Sequence, residues 1–496
     1  KKGNRSKPTI NFSTTAQFDK IAYFPKLQNE FGPGETEDAN GLPVYDYFTN
    51  NSFGPRYDGS MVPLGHPLEN GQQFMVPYVN LPNERFNFFN TGVTLQTDIS
   101  VSGGDEKSRF LLSAQDAVIT GIMPKDKNRR TSFRLNASRD FNKLSVGFNV
   151  NYIVQDYSVV NQGRGGFDDI YTSVIKTAGN VPLTSLKNWR SNPYATADGY
   201  YNFFGYNPYM LIDIDRSTGK THRVIASTDL NYKLSPVFSL TYRLGTTLSI
   251  SNSRSQLGAT FVTPFTASYK PSPWGQSTKA SVSDFSSTGV RVSSELFLNF
   301  KKNIKKFSID GLVGNSILSR QTNSIGNSGA NLVIPTLFNV SNRTGEPGVS
   351  QGLNQVRTVS AIGQATIGYD NKIFVTLSGR NDWDSRLPVK ANSFFYPGVN
   401  TSVMISELIP TLKGNTISSL KLKGSYAKSG NVNLGAYQLN NSFSVGSFPY
   451  GNLPGYSIDD QLKDPNIKPE FIVSKEIGFE LAMFKNKVRL EVNAYS

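Results

Sequence analysis

The run RNDWDSR (380–386) sets two carboxylates, Asp382 and Asp384, on either side of Trp383. Paired carboxylates are what glycoside cleavage uses, one as acid and the other as base or nucleophile. Here they lie only two residues apart beside a strand end, where an aromatic flanked by ion pairs is the plainer reading. A sugar-stacking role for Trp383 stands between the two, and Trp383 and Asp382 are candidate substrate contacts. Other chemistry is sparse. Cysteine is absent and histidine occurs only as His66 and His222, far apart and without ligand-like neighbours. Thiolate metal sites, disulfides and cysteine nucleophiles are therefore excluded, and no metal or cofactor is expected. The acidic run SIDDQLKDPN (457–466) brings together Asp459, Asp460 and Asp464 but lacks the ligand spacing of an EF-hand, so it reads as a solvated loop. QGRGG (162–166) lacks the strand-to-helix setting of a phosphate cradle and also reads as loop. The richest patch is aromatic: NPY occurs twice (192–194 and 207–209), with Tyr200, Tyr201, Phe203, Phe204 and Tyr206 between. Tyr201, Phe204 and Tyr206 are candidate substrate contacts, because aromatic faces bind sugars and peptides. Packing against a lid protein and packing within the loop are the alternatives.

The elements that carry these residues alternate with period two. In NKLSVGFNVNY (142–152), Leu144, Val146, Phe148 and Val150 fall on one face and Ser145, Gly147, Asn149 and Asn151 on the other. FSLTYRLGTTLSI (238–250) repeats this with Leu240, Tyr242 and Leu244, and EIGFELAMF (476–484) with Phe479 and Leu481. Tight polar turns at 102–107, 139–143, 233–236, 301–306, 369–372 and 484–487 close hairpins. Much longer polar stretches, at 19–91, 116–128, 156–220, 251–288, 319–355 and 429–471, separate the pairs. Nothing in a soluble sandwich forces long loops into every second connection. A transmembrane barrel has short turns on one rim and long loops on the other, with apolar side chains outward. The expected fold is therefore all-β, a transmembrane antiparallel barrel with long extracellular loops, short periplasmic turns and about fifteen strands in this chain. The apolar residues just named are expected to face lipid. Bacterial barrels close with even strand counts, so an odd count implies part of a longer polypeptide.

Composition agrees. The 496 residues include 33 Phe and 23 Tyr, types that favour strands, and mean hydropathy is −0.34. No window approaches 18 uninterrupted apolar residues, which excludes a transmembrane helix. The 51 Lys and Arg outnumber 37 Asp and Glu for a net charge of +14, but they are spread along the chain without a basic stripe. A nucleic-acid partner is accordingly set aside in favour of a solvated surface or one held at lipid phosphates.

The run FFNTGVTLQTDISVSGGDEKSRFLLSAQD (88–116) resembles the early barrel strands of SusC/RagA-type TonB-dependent transporters. KKGNRSKPTINFS (1–13) is similar to the family's plug-to-barrel junction, and FGPRYDG (53–59) to its first long external loop, which adds Arg56 and Tyr57 to the candidate substrate contacts. LSGRNDWDSRLP (377–388) and DPNIKPE (464–470) are further likenesses. The resemblance implies a barrel of roughly 22 strands filled by a plug. On it, 1–496 is one incomplete barrel domain in the outer membrane, embedded in lipid and lipopolysaccharide, with the plug and TonB-contacting segment outside this chain. It further implies a SusD-like surface lipoprotein as partner and TonB-driven import of oligosaccharides or peptides without enzymatic activity. A soluble or surface-anchored glycan-binding or adhesion module, and a passive porin, are the alternatives.

Overall fold

The computed structural model describes residues 8–161, 170–446, 453, 455–458 and 461–496. QGRGG, Asp459, Asp460 and the start of the junction-like segment lie outside the described residues. Among the described residues fifteen strands form one antiparallel sheet in which each strand pairs with its next sheet neighbour along the chain, from Thr9–Asp19 to Val488–Tyr495. Two small hairpins stand apart from it, Met61–Leu64 with Phe74–Pro77 and Phe443–Gly446 with Gly455–Ile458.

One group of connections is short: 105–107, 142–143, 234–237, 305–306, 370–372 and 484–487. Their backbones turn through the left-handed region at Asn142 (φ 52°), Lys305 (φ 53°), Asn371 (φ 56°) and Asn486 (φ 66°). Asparagine tolerates that conformation, and the tight hairpin requires it. A seventh connection on this rim, 405–416, is longer and holds the helical turn Ile405–Leu408. On the opposite rim lie 20–91, 161–214, 258–280, 330–347 and 432–469, with two short links at 121–126 and 385–392.

The expected long stretch at 116–128 is corrected to this six-residue link, because Ser108–Thr120 and Lys127–Phe141 stay paired to their ends. Their polar side chains hold each other: Arg129 pairs with Asp116 at 3.0 Å, and Thr131 donates to the same carboxylate at 2.6 Å. Beyond it, Arg254 pairs with Asp284 at 2.7 Å and Lys220 with Asp156 at 3.6 Å. The longest strand, Ser281–Ile304, has 24 residues, whereas crossing hydrocarbon takes about 9–11. The surplus continues the sheet beyond the apolar band.

Register fixes the faces. Leu144 lies opposite Tyr232, Val146 opposite Leu230 and Val150 opposite Ala226; Tyr232, Leu230 and Thr228 in turn oppose Leu240, Tyr242 and Leu244. The row continues through Leu296 and Leu298, and near the last strands Phe479 lies opposite Leu422 and Leu481 opposite Leu420. Among the described residues no second layer covers this face. Phe148 is 39% exposed and Ile477 71%. At its short-turn end stand Phe141, Tyr232, Phe238, Phe307 and Tyr369, all exposed. The apolar side chains that are buried lie mainly in the loops: Phe88, Val174, Leu183, Tyr209 and Met210 in one cluster, and Leu64, Val76, Val181, Leu186 and Tyr200 in another.

Candidate functional site: loop body and polar wall

Residues 20–91, 170–214 and 258–280 pack into a body with its own core. The two NPY motifs build it. Asn207 caps the helix Pro208–Ile214 by accepting from the Tyr209 backbone N–H at 3.0 Å, and Pro208 takes the first helical position, where a missing N–H costs nothing. Its amide also donates to Leu186 O at 2.8 Å and Ala195 O at 2.9 Å, so a fully buried polar side chain is satisfied. Asn192 repeats the cap at Pro193–Ala195. Tyr209 then enters the core, its ring 4.7 Å from that of Phe88. Gly65, at φ 77°, passes so close to Tyr201 that an added Cβ would lie 2.6 Å from its Cα.

This geometry corrects part of the sequence expectation. Tyr201 is buried and accepts from the Ala178 N–H at 3.3 Å, and Tyr206 is buried in the larger cluster. Neither side chain offers a face to a substrate in this arrangement; both hold the body together. Phe204 stays 40% exposed, edge-on to Trp274 at 5.8 Å. Tyr57 is half-buried against Tyr78 at 4.9 Å, and burial raises its hydroxyl pKa. Arg56 is exposed, paired with Glu30 at 3.1 Å, its guanidinium 4.9 Å from the Phe31 ring.

A groove of about 440 Å³ in the same body went unread in the sequence. Asp213 sits at its base and accepts from Trp189 Nε1 at 3.0 Å, from Arg190 Nη1 at 2.5 Å and from Lys125 Nζ. Burial pushes the Asp213 carboxyl up, but these three donors outweigh it and hold its pKa below the ordinary value. The Arg190 guanidinium lies 4.2 Å over the Trp189 ring, which gives the groove an aromatic and cationic edge. The signal was KNWR (187–190), which places one of only three tryptophans between cations.

The wall's second face is polar. Arg243 lies between Asp229 at 3.4 Å and Glu295 at 3.7 Å, and Asn149 donates to Ser227 Oγ at 3.2 Å. Arg109, Asn136 and Asn231 join Arg243 around a cavity of about 450 Å³. Farther round, Lys423 meets Glu480 at 3.4 Å and Glu491 at 2.5 Å. RNDWDSR is split between the faces. Asp382 pairs with Arg380 at 2.6 Å on the polar side, whereas Trp383, opposite Val359 and Ser393, points to the apolar side and is 41% exposed. Asp384 is held by Arg386 at 2.8 Å and by Thr358 at 2.9 Å. Trp383 and Asp382 therefore project from opposite faces of the sheet. Among the described residues no group of three His, Asp or Glu side chains is placed to hold a metal.

A family profile described as "TonB dependent receptor-like, beta-barrel" matches residues 172–496. TonB-dependent receptor P39 of Formosa agariphila is 26% identical over 427 residues, covering 82% of this chain and 37% of that protein. TonB-dependent receptor P3 of the same organism is 23% identical over 429 residues, covering 82% of this chain and 40% of that protein. This chain therefore spans well under half the length of these relatives. The RagAB peptide transporter superposes with a TM-score of 0.74 at 18% identity, over 100% of this chain and 55% of that one. The RagAB peptide importer in its closed-closed state gives 0.73, again at 18% identity and with the same coverage.

Proposed function

Because the chain belongs to the TonB-dependent receptor-like β-barrel family, we propose that it is the wall and loop body of an outer-membrane importer of peptides or oligosaccharides. A SusD-like surface lipoprotein closes over the loops, and TonB supplies the energy through segments outside this chain. The observation that carries the reading is the pairing of an uncovered apolar face with loops folded into a body of their own. Lipid explains the first, because apolar surface of this extent is not left to water. Ligand capture explains the second, because long loops with an internal core present fixed surfaces rather than floppy ones. Phe204, Arg56, Tyr57 and the Trp189–Arg190 edge are the proposed contacts. Asp382 and the Arg243 and Lys423 ladders line the proposed route, where graded polar contacts let a substrate pass without being trapped. Leu144, Val146, Phe148, Val150, Leu240, Tyr242, Leu244, Phe479 and Leu481 are the proposed lipid contacts. RagAB is described as a peptide importer, which favours peptides as the first substrate to test.

The test is uptake of labelled oligopeptides and oligosaccharides by cells producing the full-length protein, with and without its lipoprotein partner and a proton uncoupler. One substrate class should accumulate only when both partner and proton-motive force are present. Accumulation that ignores both would make this a passive pore.

A further inference from the structure

We propose that the rim of short turns binds the anionic headgroups of phospholipids in the leaflet it meets. The inference rests on the outward placement of the apolar face. Three consecutive hairpin ends carry Lys143, Lys233, Lys301, Lys302, Lys305 and Lys306, all exposed. They are scattered in sequence, but the sheet brings them together. The Lys233 N–H donates to Lys143 O at 2.8 Å, the Lys301 N–H to Val237 O at 2.9 Å, and the Asp370 N–H to Lys306 O at 2.7 Å, so each hairpin end abuts the next.

None of the six forms an ion pair among the described residues. Asp140 precedes the first turn and Asp310 lies across from Lys301, yet neither engages them. Farther along the same rim the pattern differs: Lys372 is paired with Asp370 at 3.0 Å and Lys413 with Glu407. Lys302 shares the outward face with Phe300 and the turns hold Lys143, Lys305 and Lys306, whereas Lys233 and Lys301, next to outward Tyr232 and Phe300, fall on the polar face. Like charges held this close repel one another, and Asp370 offsets only Lys306, so the remaining countercharge is supplied from outside the described residues.

Depth identifies its source. Phe141, Tyr232, Phe238 and Phe307 form an exposed outward row at the same end, the position aromatic residues take at the boundary of a bilayer. Lys302 follows two residues after Phe300 on that outward face, and the turns lie just beyond. The ammonium groups of Lys143, Lys302, Lys305 and Lys306 are thereby placed at headgroup level, where each basic side chain near an anionic surface adds to its attraction. On the loop rim three outward cations, Arg129, Lys220 and Arg254, are each matched by a carboxylate.

The full-length protein, in zwitterionic detergent, is given an equimolar mixture of phosphatidylglycerol and phosphatidylcholine, and retained lipid is counted by native mass spectrometry. Phosphatidylglycerol should exceed phosphatidylcholine by roughly tenfold or more, and high salt should shrink that ratio. The variant carrying Lys143→Gln, Lys302→Gln, Lys305→Gln and Lys306→Gln should still shift its gel mobility on heating and should bring the ratio close to one. Equal retention by the parent protein, or an undiminished preference in the variant, overturns the proposal. So does a variant that keeps its lipid preference while losing binding to peptidoglycan sacculi, which would assign the rim to that polymer. A parent protein that neither needs detergent nor changes mobility on heating overturns the outward placement itself. A heat-modifiable barrel without lipid preference overturns only the lysine rim.

Discussion

Asn207 shows how much a single side chain carries here. Replacing it with alanine removes a helix cap worth about 1 kcal/mol and leaves the Leu186 and Ala195 carbonyls without their donor, at roughly 1–3 kcal/mol for a buried group left unpaired. Asn207→Ala should therefore loosen the loop body by roughly 2–4 kcal/mol, read as faster hydrogen exchange through 183–214. Heat-modifiable gel mobility, which reports the wall, should not change. Unaltered exchange would mean the cap is dispensable. Lys270 gives a pH dependence. It is buried, donates to Ala197 O at 2.9 Å, and burial lowers its pKa from 10.5 to about 7 despite the charge of Asp198. An opened segment whose amine has regained the ordinary value binds more protons than the closed form between those limits. Closure is thus weakest below pH 7 and strengthens as pH rises toward 10.5. His66 beside it is held below its usual value, chiefly by burial, and stays neutral across that window. Protease nicking within 258–280, corrected for the protease's own pH profile, should be slower at pH 9 than at pH 6.5; equal rates would contradict the buried amine. The aromatic cluster was visible in the sequence, but its role was not. Whether Tyr201 faces outward or inward depends on Gly65 and Ala178, residues of separate chain segments that only the folded body brings together.

At the scale of the strand, the prediction concerns the two faces of Leu144–Val160. Val146→Asp or Phe148→Asp sets a carboxylate on the apolar side and should weaken assembly into vesicles. The penalty at the midplane is up to roughly 2–4 kcal/mol for a basic residue and smaller for an acid. Asn149→Asp, on the face where Asn149 already meets Ser227, should fold within experimental error of the parent in a urea titration. Equal behaviour of all three variants would remove the distinction between the faces. Period-two alternation made these strands legible because lipid and lumen demand opposite side chains. Strand ends were not legible, since Asp116, Arg129, Asp156 and Lys220 look like loop by hydropathy while pairing with each other across the sheet. Polarity marks where the bilayer ends, and the sheet runs past that point. The same reasoning explains why the link at 121–126 was read as a long stretch.

For the whole molecule, alternating short and long connections were enough to infer a membrane wall, and about fifteen strands were expected where fifteen pair. Charge was less transparent. A net +14 spread evenly in sequence looks featureless, yet antiparallel pairing returns the chain to the same rim every second connection, so lysines far apart in sequence become neighbours. On the proposed function, substrate identity is illegible for a different reason. A route that must release what it binds uses weak contacts from many strands, and none leaves a compact motif.

The central claim is that the apolar face meets acyl chains. This chain contributes no cysteine, so single cysteines can be placed at will. Val146→Cys, Phe148→Cys and Leu244→Cys in the full-length protein, each carrying an environment-sensitive fluorophore, are compared with Asn149→Cys and Arg243→Cys in vesicles of brominated phospholipid. The first three should be quenched by the brominated chains and the last two should not. Quenching of the second set, or no quenching in either, would contradict the account.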